Sequence, residues 1–406
     1  MKDQRIHMIG IGGIGMSALA QLYLAEGARV SGSDRGESPT TRMLREKGIS
    51  IAIGHDAAHV PEDASLLVYS DAVPPDNSER VRGRELGLSE LSYFEALGKA
   101  AEGKRVVAIS GTHGKTTTTA MLGKILIDAG FEPTVVVGSI VPEWGSNFRS
   151  GTSNIFVVEA CEYRNHFLVF HPEVLVITNI EWDHTDYFKD LASLETAFAE
   201  ARSQAKAVIE RVQYAKELVP ELLVPGEFNK DNARAAKAAA RAIAPEISDA
   251  SIDASLALFK GVWRRFEYKG RTQNSVAIYD DYAHHPTAIV KTIEAAREKF
   301  SGKKIIVFFH PHLYSRTRDL FGDFAKALAT ADKAFILPVY AAREPFDPSA
   351  THEALAEAVN RAGGHAQAIP DFDAVVQEIK KLGADAVVFT MGAGDVYKAG
   401  EQALKK

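Results

Sequence analysis

The chain has little of what would place it outside the cell or inside a membrane. Its 406 residues include one cysteine, Cys161, which excludes an intrachain disulfide and suits a reducing compartment. No apolar run approaches the ~20 residues that span a bilayer, so membrane insertion is not expected. The first residues run straight into a strand pattern, and no secretory leader is expected. There is no short-period repeat and no low-complexity tract, which argues against a solenoid or a disordered linker. Basic residues are not in excess. The net charge is −6, which argues against a general nucleic-acid binder and favours solubility. A cytoplasmic protein is expected.

What is present is a globular composition, 46% hydrophobic and 25% charged, over a length that calls for two or three domains. Short apolar runs alternate with helical patterns almost throughout, which reads as α/β with parallel sheets. One unit opens at the strand Arg5 to Ile9 and closes near the small, polar stretch Ala100 to Gly103. A second starts at the Lys104 strand. A third begins around Gly261 to Phe266. Polar clusters follow most strands, and in open α/β sheets ligands bind at the carboxyl ends of strands. Three such rims facing one another would enclose a cleft.

The richest segment is Gly111-Thr112-His113-Gly114-Lys115-Thr116-Thr117-Thr118-Thr119. It follows the apolar run Val106 to Ile109 and precedes a helical pattern from Ala120. In a strand–turn–helix of this kind, glycines let backbone N–H groups close around phosphate oxygens, and the helix adds the positive end of its dipole. Lys115 is placed to neutralise β/γ-phosphates, and Thr116 to offer a hydroxyl to Mg²⁺. The strict phosphate-loop pattern would put its first glycine at Ile109; here it is Gly111.

Other clusters are less specific alone. Gly10-x-Gly12-x-x-Gly15, with Asp34 some twenty residues on, can seat a diphosphate on a helix N-terminus. The spacing fits NAD or a nucleotide-sugar diphosphate and does not choose between them. Glu159 and Glu162 follow one strand, and Asp183, His184 and Asp186 the next. Such groups beside a phosphate loop suit Mg²⁺ held by few protein ligands plus phosphates. A solvated acidic rim is the alternative, and it weighs more for Glu162 and Asp186 than for Glu159 and His184. Asn229 and Asn232 stand at a helix start, where they either read a base edge or cap the helix. Asp280-Asp281-Tyr282-Ala283-His284-His285-Pro286 packs two acids, a phenol and two imidazoles into one loop. His312, Arg316 and Arg318 follow a further strand, where arginines can clamp carboxylate or phosphate.

Taken together, these stretches resemble the Mur ligase family over nearly the whole chain. The matching residues are Ile9 to Ser17, Ser31 to Asp34, Gly54-His55, Gly111 to Thr119, Thr178 to Ile180 and Asp183-His184. They continue with Asn229 to Ala233, Arg264 to Glu267, Asp280 to Pro286, Pro311-His312, Tyr314 to Arg318 and Thr390 to Asp395. The resemblance implies three domains: a Rossmann-like domain over 1–101 that binds a UDP-sugar, an ATP-binding central domain over 102–261, and a Rossmann-like domain over 262–406 that brings the amino acid. It implies ATP-dependent joining of L-alanine to the lactyl carboxylate of UDP-N-acetylmuramate through an acyl phosphate, by a monomer or homodimer, with ATP and Mg²⁺ as cofactors. Reattachment of a recycled tripeptide to the same sugar is the family's nearest alternative. Outside the family, the alternatives are an NAD-dependent oxidoreductase and a nucleotide-binding protein without ligase activity.

The resemblance carries roles to particular residues. Gly12, Gly13, Ser17, Asp34, His55 and Ser70 would hold the UDP-sugar. Gly111, Thr112, His113, Gly114, Lys115, Thr116 and Thr117 would hold the ATP phosphates, with Arg265 near the γ-phosphate. Asn229 and Asn232 would face adenine, and Asp280 or Asp281 the ribose. Thr116, Glu159 and His184 would form the metal site. His284, His285, His312 and Arg316 would orient the amino acid, and Lys115, His284, His285 and Arg316 would carry the catalysis. Three departures stand out. Cys161-Glu162-Tyr163 replaces the family's Asp-Glu-Ser, Phe228 replaces a histidine beside Asn229, and Leu313 stands where an arginine is frequent. Between Lys206 and Pro225 there is room for little more than a helix and a turn, so the central domain reads as shortened.

Overall fold

Three parallel-type sheets follow one another along the chain in the computed structural model, which describes residues 2–342 and 344–405. The first sheet uses β1 (Arg5–Ile9), β2 (Arg29–Asp34), β3 (Ser50–Ile53), β4 (Leu66–Tyr69) and β5 (Ser89–Ser92), in the order β3-β2-β1-β4-β5. All its pairings are parallel. The second uses β6 (Arg105–Ser110), β7 (Thr134–Val141), β8 (Ser146–Arg149), β9 (Ile155–Glu159), β10 (Val174–Ile177) and β11 (Ala207–Glu210), ordered β11-β10-β6-β9-β7-β8. Only its last pair, β7 with β8, is antiparallel. The third uses β12 (Glu267–Arg271), β13 (Ala277–Asp281), β14 (Lys304–Phe309), β15 (Lys333–Ile336), β16 (Ala366–Ala368) and β17 (Ala386–Met391), ordered β12-β13-β17-β14-β15-β16. There only β12 pairs antiparallel.

The strands read as expected for sheets covered on both faces. The inner ones, such as Val106 to Ile109 and Ile305 to Phe309, are continuous apolar runs and wholly buried. Between Lys206 and Pro225 the structure holds the short strand β11 and one helical turn, Arg211–Tyr214. The sheet is therefore carried one strand further than the sequence pattern indicates. Val212, Leu218 and Leu223 remain exposed there. The alanine-rich segment forms the helix Glu227–Ile243, with Ala233, Ala235, Ala236, Ala239 and Ala240 buried. Small side chains let this helix lie close against the helix Lys115–Asp128 that follows the phosphate loop. Among the described residues no helix is long and apolar enough to cross a membrane.

The units meet through specific contacts. Gln21, on the helix Ile14–Ala25, donates to Asn147 Oδ1 (3.1 Å) and accepts from Ser146 Oγ (2.9 Å), while Asn147 Nδ2 donates to Ser17 Oγ (3.2 Å). All of these side chains are buried, and each finds a partner across the first and second sheets. The second and third units are tied by a buried ion pair, Arg316 Nε to Asp183 Oδ1 at 2.8 Å. Trp182 adds its ring to the third unit's core.

Candidate active site

Parallel strands bring the polar rims together around one cleft of about 1090 Å³. Gly13 and Ser70 come from the first unit, Thr112 to Thr117, Glu159 and His184 from the second, and Arg265, Asp281 and His284 from the third. Asn232 also faces it.

The phosphate loop leaves β6 and turns into the helix at Lys115. Two glycines are required by backbone shape. Gly114 has φ +84° and Gly111 φ +121°, conformations that L side chains rarely adopt. A Cβ at Gly114 would strike the carboxamide of Asn232, and one at Gly111 the hydroxyl of Thr178. Asn179 fixes the loop from outside, its Oδ1 accepting from His113 N–H (2.9 Å) and its carbonyl from Thr112 N–H (3.0 Å). Asn179 has no assigned role in the sequence reading beyond its place in a motif.

Lys115 is 12% exposed and lies 2.9 Å from Glu162 Oε2, which is 1% exposed. It also donates to the carbonyl of Gly111. Burial, the largest single influence, works against the ammonium, but the Glu162 charge and hydrogen bond together with Cys161 and Glu159 outweigh it and lift the Lys115 pKa above its usual value. Burial would raise Glu162, yet Lys115 and then His184 bring it down to about 2. Glu162 is thus no solvated rim residue. It is the counter-ion of the loop lysine, and the alternation of the strand it follows gives no signal of that. Asp186 accepts from Tyr163 OH at 2.7 Å.

The donor set for a hard cation is present. Thr116 Oγ1 donates to Glu159 Oε1 (3.1 Å), and Glu159 Oε2 accepts from Gly138 N–H (2.8 Å). A hydroxyl and a carboxylate fit Mg²⁺, which favours oxygen ligands and keeps several for phosphate and water. His184 stands differently. Burial lowers its pKa, but contacts with Cys161 and Glu162 and the Asp183 charge raise it to about 10. As placed, its imidazolium pairs with Glu162 (3.6 Å) and would have to lose a proton before binding a metal.

In the third unit the turn Arg264–Arg265–Phe266 is strained. Arg264 and Phe266 have φ of 59° and 50°, uncommon for residues with side chains. Asp280 and Asp281 hold this turn. Asp280 is fully buried, accepts from Arg264 Nε (2.7 Å) and Thr390 Oγ1 (2.7 Å), and lies outside the cleft lining. Asp281 accepts from Phe266 N–H (2.9 Å) and Ala283 N–H (2.8 Å). Burial pushes its pKa to about 6 against the pull of Arg265. Arg265, between the strained residues, reaches Thr116 Oγ1 at 3.3 Å.

His284 faces the cleft. Its Nδ1 donates to Tyr282 O (2.9 Å), and burial, reinforced by Arg316, keeps its pKa well below the usual value. The ring is therefore neutral with Nε2 as an acceptor. Arg316 is buried on Asp183 and 3.2 Å from His312 Nδ1. His285 caps the helix Pro286–Lys299, with Nε2 3.3 Å from Trp182 O. The structure does not bring Arg316, His312 or His285 to the cleft lining.

The other sequence candidates divide similarly. Gly12 N–H donates to Asp34 Oδ2 (2.8 Å), so Asp34 clasps the glycine turn. Ser17 is buried against Asn147, and His55 Nδ1 lies 3.0 Å from the buried Glu79 and 3.2 Å from Ser33. Asn229 Nδ2 donates to Pro225 O (2.7 Å) and its Oδ1 accepts from Asn232 (3.2 Å), interlocking the pair one helical turn apart.

Three family profiles match the chain: "Mur ligase family, catalytic domain" over residues 5–105, "Mur ligase middle domain" over 109–214, and "Mur ligase, glutamate ligase domain" over 264–394. A UDP-N-acetylmuramate–L-alanine ligase of Clostridium acetobutylicum is 37% identical over 454 aligned positions, covering 100% of this chain and 98% of that protein. The namesake ligase of Acetivibrio thermocellus is 37% identical over 458 positions, covering 100% and 96%. The crystal structure of UDP-N-acetylmuramate–alanine ligase from Thermotoga maritima superposes with a TM-score of 0.84 at 28% identity, covering 98% of each chain. A murein peptide ligase from Psychrobacter arcticus shares the fold, with a TM-score of 0.70 at 23% identity over 99% and 98%.

Proposed function

Because this chain belongs to the Mur ligase family, we propose that its cleft joins L-alanine to the lactyl carboxylate of UDP-N-acetylmuramate at the expense of ATP, in peptidoglycan synthesis. The observation that carries the reading is the likeness to L-alanine ligases along the entire chain, 37% identity covering 98% of the relative, with a lysine-bearing phosphate loop at the centre of the cleft. The units are taken to run 1–101 for the UDP-sugar, 102–261 for ATP and 262–406 for the amino acid.

The chemistry follows from the side chains. The sugar's carboxylate attacks the γ-phosphorus and ADP leaves, giving an acyl phosphate. Lys115 exchanges Glu162 for phosphate oxygens, and Arg265, presented by its strained turn, adds a second cation where charge spreads in the transition state. Mg²⁺, held by Thr116 and Glu159, would supply further charge neutralisation on the phosphates. The amine of L-alanine then attacks the acyl carbon, phosphate departs, and an amide remains. The neutral His284, with Nδ1 donating to Tyr282 O and Nε2 left as the acceptor nitrogen, is suited to take the proton that the L-alanine ammonium must lose before its nitrogen attacks. Arg316 and His312 lie behind it to receive the amino-acid carboxylate once substrate displaces Asp183. Closure of the units over the cleft would keep water from the acyl phosphate, which otherwise hydrolyses.

The test is ADP release measured with each component omitted in turn. Release that requires both UDP-N-acetylmuramate and L-alanine supports the reading. Release indifferent to either substrate overturns it. Parallel assays with glycine, L-serine and the recycled tripeptide define the amino-acid preference.

A further inference from the structure

One cluster of ligating groups has no step in the proposed reaction, although the family resemblance gives His113 to the ATP phosphates and His285 to the amino acid. His113 lies in the phosphate loop, Glu181 follows β10, and His285 follows β13 in the third unit. One ligand atom from each lies within 4.8 Å of the others. His113 Nε2 is 3.4 Å from Glu181 Oε2, and His285 Nδ1 is 4.0 Å from the same oxygen. The two imidazole rings stand 4.8 Å apart at 51°. His113 Nε2 is buried and has no hydrogen-bond partner.

We propose that His113, Glu181 and His285 form a binding site for a divalent transition metal of the zinc class, and that metal bound there latches the third unit against the second. Two imidazoles and one carboxylate are a borderline-soft set, suited to Zn²⁺ or Co²⁺ and poorly suited to Mg²⁺. Bonds of 2.0–2.1 Å in tetrahedral geometry put donors about 3.3 Å apart. The His113–Glu181 separation already matches, and His285 needs only a small swing. The outer shell is built as well. Thr287 Oγ1 donates to Glu181 Oε2 at 2.6 Å and orients the carboxylate. His285 Nε2 points to Trp182 O, which leaves Nδ1 as the lone-pair nitrogen, shared until metal arrives with Thr287 N–H at 3.3 Å.

This site is separate from the Thr116–Glu159 pair and does not depend on which acid and amine are joined. Its ligands come from both sides of the junction between the second and third units. Metal bound there opposes opening and therefore product release.

The test uses the full-length protein without nucleotide. Zn²⁺ is titrated against a chromogenic chelator, and Co²⁺ is followed by its visible absorption. Wild type is expected to bind one equivalent. Glu181→Gln and His285→Gln are each expected to weaken binding at least tenfold, while Glu159→Gln and the double variant Cys161→Ala/His184→Gln leave it unchanged. Metal is also expected to reduce acrylamide quenching of Trp182 in a Trp144→Phe/Trp263→Phe background, and not after Glu181→Gln. Metal-free melting curves show that each variant is folded, and His113→Gln replaces any that is not. Unaltered Zn²⁺ affinity in Glu181→Gln, or loss in the Cys161/His184 double variant, overturns the proposal.

Discussion

Replacing Glu162 by Gln tests the account of the loop lysine most directly. In wild type the Lys115 ammonium and Glu162 carboxylate are 2.9 Å apart and almost sealed from water. At an effective dielectric of 20 their gross attraction is about 6 kcal/mol, much of it offset by the desolvation of both charges. A phosphate seated on the same ammonium would stand about 5–6 Å from the carboxylate, so each of its charges is repelled by about 3 kcal/mol gross. Gln keeps the shape and removes the repulsion. Even if screening halves it, nucleotide binding gains about 1.4 kcal/mol, or tenfold. The empty variant, by contrast, carries an uncompensated buried ammonium and loses about 3 kcal/mol. Calorimetric titration with a non-hydrolysable ATP analogue at fixed Mg²⁺ should thus show tighter binding, while the nucleotide-free melting temperature falls. Saturating analogue should restore most of that fall. A folded variant whose nucleotide affinity is unchanged or weaker would refute the idea that Glu162 competes with phosphate for Lys115.

Other outcomes follow from the same geometry. Lys115→Ala should abolish turnover yet still bind UDP-N-acetylmuramate, as read by an ADP-release assay beside a titration with the sugar nucleotide. Gly114→Ala adds a Cβ in left-handed backbone against Asn232 and should weaken ATP-analogue binding at least a hundredfold by calorimetry. Asp183→Asn strands the buried Arg316; a loss of about 3–5 kcal/mol is expected from breaking such a pair, seen as a lower melting temperature and at least a tenfold lower kcat. Glu162 has a folded pKa of about 2 against an ordinary 4.5. Its stabilisation is therefore present above pH 4.5 and lost as pH falls from 4.5 towards 2, and acid unfolding of Glu162→Gln should lack that portion of the slope.

Much of the frame was legible in the sequence. The continuous apolar strands, the glycine turns and the alanine helix gave the three sheets and the central loop because each obeys a local rule of periodicity or backbone freedom. Short edge strands such as β11 and β16 escaped, since three or four half-buried residues carry little periodic signal. Gly10 to Gly15 with Asp34 could not by itself separate NAD from a sugar nucleotide; the geometry shows Asp34 clasping Gly12 N–H, a contact either ligand would tolerate. The site was legible as a set of residues but not as a set of partnerships. Asp280 and Asp281 differ by one position, yet strand alternation sends one into an ion pair with Arg264 and leaves the other on the cleft. The pairings Lys115–Glu162 and Arg316–Asp183 join residues 47 and 133 positions apart, and no local pattern encodes them.

The buried trio of Gln21, Ser146 and Asn147 bears on how freely this enzyme's parts can be exchanged. Each amide there is matched to a donor or acceptor on the opposite side, and an unmatched one would cost about 1–3 kcal/mol. A chimera that imports the first unit from another organism's ligase would therefore inherit half of a lock without its key. Grafts that carry position 21 together with 146 and 147 should assemble; those that cut between them leave stranded amides at the seam.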